Sequence, residues 1–182
     1  MNKTLSLPIG RMAAHYTVVV VGSGYGAGVA ASRLARAGQH VCVLERGREL
    51  QPGQYPNDLA SAQAEMQVNT ARGRLGNPDG LYDVHLNDDV NAVVGCGLGG
   101  TSLINANVAL EMDKRLLKLE HWPQVFQDHP DLLDRFAERA RAMLDPNPYP
   151  DDWQPLNKLD ALQMAAKGMK QPFSRPPIAV RA

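Results

Sequence analysis

Two glycine-rich segments of the chain have the residue types and spacing that bind phosphate groups. The first runs from Gly22 to Ala27 after the apolar sequence VVVV, and the second runs from Gly95 to Gly100 within VGCGLGGTSLIN. Glycines at the spacing G-x-G-x-x-G/A let the backbone turn sharply and approach a pyrophosphate closely. Both segments therefore predict dinucleotide binding, and the question is whether they serve one ligand or two.

The residues around the first segment predict the elements that such a site needs. The β-branched run 17–21 shows no alternation, which predicts a strand buried on both faces of a parallel sheet. Residues 25–37 predict a helix that Gly38 ends, and residues 40–44 predict a second strand. Strand, turn, helix and strand in this order form the βαβ unit of a dinucleotide-binding domain.

Each position of the first segment has a physical task in that unit. Gly22 allows the turn out of the strand, and Gly24 lets the backbone approach a pyrophosphate at the positive end of the helix dipole. Ala27 occupies the third position of the fingerprint, where the helix packs close to the strand. Glu45 ends the second strand; its carboxylate can accept both ribose hydroxyls and would repel a 2′-phosphate, which disfavours NADP. These residues alone leave FAD and NAD both open.

The second segment has a different context. Residues 81–94 alternate in part and predict a β-hairpin, and the residues after Gly100 are not clearly helical. A second independent dinucleotide domain is therefore not expected. The loop can instead wrap the far side of the same cofactor, with hydroxyls from Thr101 and Ser102 and an amide from Asn105. On the residues alone, a structural glycine turn with capping hydroxyls remains open.

The run VVVVGSGYGAGVAASRLARAGQHVCVLERG followed by VGCGLGGTSLINANVALE resembles the N-terminal part of the glucose-methanol-choline (GMC) oxidoreductases, most of all their cholesterol-oxidase-like bacterial branch. Gly-Tyr-Gly at 24–26 and Gly-Gly-Thr-Ser-x-x-Asn at 99–105 carry the resemblance, which covers residues 15–145. It implies an α/β, Rossmann-like FAD/NAD(P)-binding fold, incomplete in this chain. That fold has a parallel sheet flanked by helices, a β-hairpin and a glycine-rich flavin loop.

The resemblance also implies one cofactor, FAD, held by both segments. The first segment would hold the pyrophosphate and Glu45 the adenosine ribose, while the second segment and Asn105 would approach the flavin. Some relatives attach FAD through a histidine of the second loop; none lies between His85 and His121, so non-covalent FAD is expected. The predicted cofactor-binding residues are Gly22, Ser23, Gly24, Tyr25, Gly26, Ala27, Glu45, Arg46, Gly95, Gly97, Gly99, Gly100, Thr101, Ser102 and Asn105.

The family oxidises the CH–OH group of alcohol or sterol-like donors by hydride transfer to flavin N5. Its catalytic base is a histidine near the C-terminus, and no segment here corresponds to it, so no catalytic residue and no metal site are assigned. The chain is expected to be the N-terminal FAD-binding portion of such an enzyme. A non-catalytic truncated nucleotide-binding fragment is the main alternative, and an NAD-dependent dehydrogenase module is a weaker one.

Composition and organisation agree with a globular protein. The 182 residues are 44% hydrophobic and 21% charged, and 19 basic residues balance 19 acidic ones, which does not favour nucleic acid as a partner. The longest apolar run is too short to span a membrane, and two cysteines without C-x-x-C spacing suggest the cytoplasm. We expect an N-terminal extension at 1–15, the FAD-binding domain at 16–145, and a proline-rich, loop-like tail at 146–182 leading to a substrate domain. Within the domain, residues 51–80 predict loop with a short helix, and residues 131–144 predict a packing helix.

Overall fold

The computed structural model describes residues 4–180. The first three residues of the predicted extension and the last two of the predicted tail lie outside the described residues. The chain divides into two compact units, one up to Asn105 and one from Ala106 onward. The domain boundary expected after residue 145 stays a prediction.

The first unit begins with the predicted βαβ unit. Strand β1 (Val18–Val21) is followed by helix α1 (Tyr25–Arg36) and strand β2 (Val41–Leu44). The strands are parallel, with Val18 opposite Val41. After α1 the chain turns at Gly38, whose φ of +80° is a conformation that favours glycine. The sequence prediction is confirmed here, with each element slightly shorter than expected.

The burial predicted for the first strand is wrong. Side chains of β1 alternate between half-buried and exposed, and Val19 and Val21 are 52% and 83% exposed. In the described residues, β1 and β2 form a sheet of two strands. A two-stranded sheet with one packed helix is too narrow to cover apolar side chains on both faces.

A second, mixed sheet follows helix α2 (Leu59–Ala64). Its strands are β3 (Met66–Thr70), β4 (Gly73–Gly76), β5 (Tyr82–His85) and β6 (Ala92–Gly95), in the order β4-β3-β5-β6. The predicted hairpin is present as the antiparallel pair β5–β6, whereas β3 and β5 are parallel. Strands β3 and β4 were not predicted; the loop expected at 51–80 is wrong there. The sequence did not indicate these strands, because the buried side chain of β3 is the polar Gln67 and not an apolar residue.

The second unit is mainly helical. It contains a 3₁₀ turn (Lys114–Lys118) and helices α3 (Gln124–Asp128), α4 (Asp134–Leu144) and α5 (Asn157–Gly168). The packing helix expected at 131–144 is present as α4 and starts three residues later. The prediction of a loop-like tail is wrong over α5. The prolines of this region lie before and after the helix, and the residues between them favour helix formation. Within residues 4–180, no helix has the length and apolar character needed to cross a membrane.

Candidate dinucleotide site

The turn between β1 and α1 has the geometry of a phosphate-binding turn. Gly22 has a φ of +87°, and its N–H donates to the carbonyl of Leu44 at 2.7 Å, which fastens the turn to the end of β2. Gly24 is the N-cap of α1, and no side chain of the described residues caps the helix. The first N–H groups of a helix have no partners within it, and they carry the positive end of its dipole. The turn therefore presents backbone donors suited to an anion.

Three glycines of this turn and helix stand beside open space. A β-carbon added to Gly24, Gly26 or Gly28 would meet no other atom of the described residues within 4 Å. Gly24 also has a φ of −65°, which any residue can adopt. The chain's own packing and backbone geometry thus do not require glycine here. A missing side chain is what close approach by a ligand requires, so these residues fit a pyrophosphate.

Ser23 joins the first turn, the end of β2 and the second glycine segment. Its hydroxyl donates to Glu45 Oε2 at 2.5 Å and accepts from the N–H of Gly99 at 2.8 Å. The other carboxylate oxygen of Glu45 accepts from the N–H of Gly47 at 2.8 Å. Each carboxylate oxygen can accept more than one hydrogen bond. Glu45 is thus held in place and retains capacity to accept from the hydroxyls of a ribose.

The second glycine segment is shaped by its own packing, in contrast to the first. A β-carbon on Gly95 would lie 2.5 Å from the carbonyl oxygen of Gly100, and one on Gly97 would lie 2.6 Å from a methyl carbon of Leu103. Gly99 and Gly100 have φ values of +116° and +61°. Gly95, Gly99 and Gly100 are therefore needed for the loop itself to form, whatever it binds.

The polar side chains of the second segment have partners inside the first unit. Thr101 Oγ1 accepts from the N–H of Gly95 at 3.2 Å, and Ser102 Oγ donates to the carbonyl of Gly99 at 2.8 Å. A structural glycine turn with capping hydroxyls would make the same contacts. A ligand-binding role for the two hydroxyls therefore stays a prediction. The side-chain amide of Asn105 donates to the hydroxyl of Tyr25, which brings the ends of the two segments together.

Arg46 lies apart from the other predicted residues. Its guanidinium donates to Asp83 Oδ2 at 2.8 Å and to Gln67 Oε1 at 3.0 Å, both on the mixed sheet. Sequence reasoning missed Asp83 and Gln67, although a polar residue at an inward position of a strand signals a buried hydrogen-bond partner. A cofactor contact from Arg46 stays a prediction, and its side chain points away from Glu45 toward β3 and β5.

A groove of about 1350 Å³ runs beside the first turn, and Ser23, Glu45 and Gly99 are among the residues that line it. Its other border is the N-terminal segment, where the N–H groups of Leu5 and Ser6 donate to the Glu49 carboxylate at 2.9 and 2.8 Å. These bonds hold the pKa of Glu49 below its ordinary value. This segment was expected to be a plain extension, and nothing in its sequence indicated that it borders the groove.

The structure thus brings most of the predicted residues into one place. Gly24 faces Gly100, Ser23 bonds to Glu45 and Gly99, and Tyr25 bonds to Asn105, although the two segments are more than 70 residues apart. The arrangement offers backbone N–H donors, a carboxylate and a glycine surface without side chains, which together suit the pyrophosphate and ribose of a dinucleotide.

Comparison with known proteins gives distant relatives. A cholesterol oxidase of Mycobacterium tuberculosis is 27% identical over 128 residues, which cover 70% of this chain and 21% of that protein. A long-chain-alcohol oxidase of Arabidopsis thaliana is 35% identical over 101 residues, covering 56% of this chain and 12% of that protein. The chain therefore spans about a fifth or less of the length of these relatives. No family model matches the chain. Both relatives are GMC oxidoreductases, so these similarities support the GMC family for this chain.

Proposed function

We propose that the first unit binds FAD non-covalently, and that the chain is the FAD-binding N-terminal portion of an oxidoreductase acting on CH–OH donors. The two relatives are named for cholesterol and for long-chain alcohols, which supports an alcohol or sterol-like substrate. The matched segments cover only a small part of each relative. The comparison therefore does not show the substrate or the electron acceptor of this chain, and the substrate class is proposed. Bound FAD would supply the acceptor for the hydride that leaves the alcohol carbon.

The contrast between the two sets of glycines carries the proposal. A β-carbon on Gly95 or Gly100 would overlap the backbone, whereas Gly24 and Gly26 have room for one and yet are glycine. A fold that needed only a tight turn would require Gly22 but would accept a side chain at Gly24. A surface kept free of side chains at a helix N-terminus is accounted for by an anion that lies against it.

The chain's own residues would divide the work along the cofactor. N–H groups at the start of α1 would bind the pyrophosphate, and Glu45, fixed by Ser23 and Gly47, would accept from the ribose hydroxyls. The second segment, from Gly95 to Ser102, would lie along the flavin end, with Asn105 near the ring. Arg46 would contribute through its backbone, because its guanidinium is bonded to Asp83 and Gln67.

A cytoplasmic location is part of the proposal. Cys42 and Cys96 are both buried free thiols, and neither is paired within the described residues. Reduced, buried cysteines are usual in a reducing compartment.

The test is FAD retention by the purified chain. The protein is incubated with FAD, desalted and examined by visible absorption, and the released cofactor is identified after denaturation. We expect bound FAD, and we expect Gly24→Val to lose it, because the valine would fill the surface that the pyrophosphate needs. Since no atom of the part of the chain that the structure describes fills that space, the variant should keep its circular dichroism spectrum.

Gly168→Val is the matched control. Gly168 also stands in open space, but at the end of α5 in the second unit. It should retain FAD as the original chain does. Full retention of FAD by Gly24→Val would show that the site has been placed wrongly. A folded chain that stays colourless after FAD addition, or that yields NAD, would refute the flavin assignment.

A further inference from the structure

We propose that Asp83 and Gln67 determine the specificity of the adenosine-ribose site, by holding the guanidinium of Arg46 away from Glu45. The site would then take a ribose with a free 2′-hydroxyl and reject one that carries a 2′-phosphate. The inference rests on the proposed function and assigns a part in it to two residues of the mixed sheet. Both act through Arg46 and are positioning residues.

Consecutive side chains at the end of β2 point to opposite sides. The Glu45 carboxylate accepts from Ser23 and Gly47, at the glycine turn. Arg46, the next residue, reaches instead to the mixed sheet, where it bonds to Asp83 and Gln67 and donates to the carbonyl of Pro78 at 3.2 Å. An arginine just after this strand is well placed to accommodate a 2′-phosphate in dinucleotide-binding folds. In this chain the Arg46 guanidinium is bonded instead to acceptor oxygens of Asp83, Gln67 and Pro78.

The acceptors are themselves fixed. Asp83 is 5% exposed and Gln67 is fully buried. The amide nitrogen of Gln67 donates to the carbonyl of Gly80 at 2.7 Å, which turns its oxygen toward Arg46. The second oxygen of Asp83 accepts from the amide of Asn69 at 2.5 Å. Because moving Arg46 away would leave the buried carboxylate of Asp83 without this cation, the guanidinium, itself half-exposed, is expected to stay on the mixed sheet.

The position of Arg46 affects the electrostatic surroundings of Glu45. Its two hydrogen-bond partners, a hydroxyl and a backbone N–H, are neutral, and no cation among residues 4–180 forms an ion pair with it. Such a carboxylate binds a ribose diol through hydrogen bonds and repels a phosphate. A released guanidinium would neutralise Glu45 or pair with the phosphate, and either change would weaken the discrimination.

The experiment compares ADP-ribose with ADP-ribose 2′-phosphate, two ligands that differ only in the group under test. Their dissociation constants are measured by calorimetric titration for the full chain, for Asp83→Asn and for Asp83→Asn combined with Arg46→Leu. We expect the original chain to prefer ADP-ribose. We expect Asp83→Asn to reduce that preference by about tenfold, because it frees a cation beside the ribose.

The double variant separates specificity from structural support. It removes the freed cation along with the carboxylate, so it should regain most of the original preference. A purely structural role for Asp83 predicts no such recovery. Gln67→Met, which removes one acceptor at similar volume, should shift the preference in the same direction by a smaller factor. It keeps the test valid if Asp83→Asn does not fold by circular dichroism.

The outcomes distinguish this inference from the proposed function. Retained FAD binding with an unchanged preference in Asp83→Asn and Gln67→Met would overturn the inference alone, as would a double variant that does not recover. Binding of ADP-ribose with the expected shifts, but without binding of FAD, would overturn the flavin assignment and support the inference. Absence of binding for every ligand in the original chain would overturn both.

Discussion

Gly100 lies so close to Gly24 that a β-carbon on Gly100 would stand 2.8 Å from the Cα of Gly24. The two glycine segments, separated by more than 70 residues, are therefore in direct backbone contact. A β-carbon on Gly24 itself would meet no atom of residues 4–180 within 4 Å. One residue thus serves as the packing surface for the second loop and as an open surface beside the helix N-terminus. This arrangement favours one ligand spanning both segments over two separate sites.

Gly100→Ala is expected to destabilise the first unit. The new methyl group would overlap the backbone of Gly24, and the φ of +61° would cost alanine about 1–2 kcal/mol more. We expect a lower midpoint of urea unfolding followed by circular dichroism. Gly10→Ala is the control, because Gly10 stands in open space without a positive φ. Equal stability of the two variants would mean that the second loop does not pack on Gly24.

Ser23→Ala should also destabilise the first unit, through lost hydrogen bonds. It would leave the N–H of Gly99 and one oxygen of Glu45 without the partner that joins them. Loss of a partly buried, charge-assisted hydroxyl contact typically costs about 1–3 kcal/mol in the free energy of unfolding. Ser102→Ala is the matched control, because Ser102 is exposed and its hydroxyl bonds to a carbonyl three residues away. If both variants lose the same stability, Ser23 does not link the two segments.

The βαβ unit could be predicted because the residues that determine it lie close together in the sequence. Apolar runs, a glycine after each element and an acid at the end of the second strand all lie within one short stretch. The second sheet was missed because its signal is not local: Gln67 and Asp83 are polar, and their partner Arg46 lies 21 and 37 residues earlier. A buried polar strand residue can be recognised only together with the group that satisfies it.

The candidate site shows the same division. The family resemblance implied that both glycine segments and Glu45 serve one ligand, and the structure brings Ser23, Glu45 and Gly99 together. The spacing could not show which glycines serve packing and which leave open space, because that depends on atoms far away in the chain. It also could not show that Arg46 is engaged elsewhere. A motif identifies candidate residues, but contacts with residues far away in the sequence determine what each of them does.

Leu117→Ala should be the most destabilising simple truncation in the second unit. Leu117 is fully buried, and replacing a buried leucine by alanine removes apolar contacts and leaves a cavity, at a cost of about 2–5 kcal/mol. The neighbouring Leu116 is 46% exposed, so Leu116→Ala should cost much less. Urea unfolding of both variants measures the difference. Equal costs would show that the 3₁₀ turn does not pack as described.

The contact between Glu49 and the N-terminal segment should break at acid pH. The N–H groups of Leu5 and Ser6 bond to the Glu49 carboxylate and hold its pKa below the ordinary value of 4.5. Because the folded pKa is lowered, the contribution of this contact is fully present above that ordinary value. It is lost as the pH falls through the lowered pKa, when the carboxyl group gains its proton.

An NMR titration of the two amide proton resonances measures this directly. Both resonances should shift together with falling pH, at a midpoint below 4.5. Glu49→Gln should abolish that transition, because the neutral amide does not titrate. Glu120→Gln is the control: Glu120 is 88% exposed, and its substitution should leave the transition unchanged. A midpoint at or above the ordinary value would show that the carboxylate does not hold the segment that borders the groove.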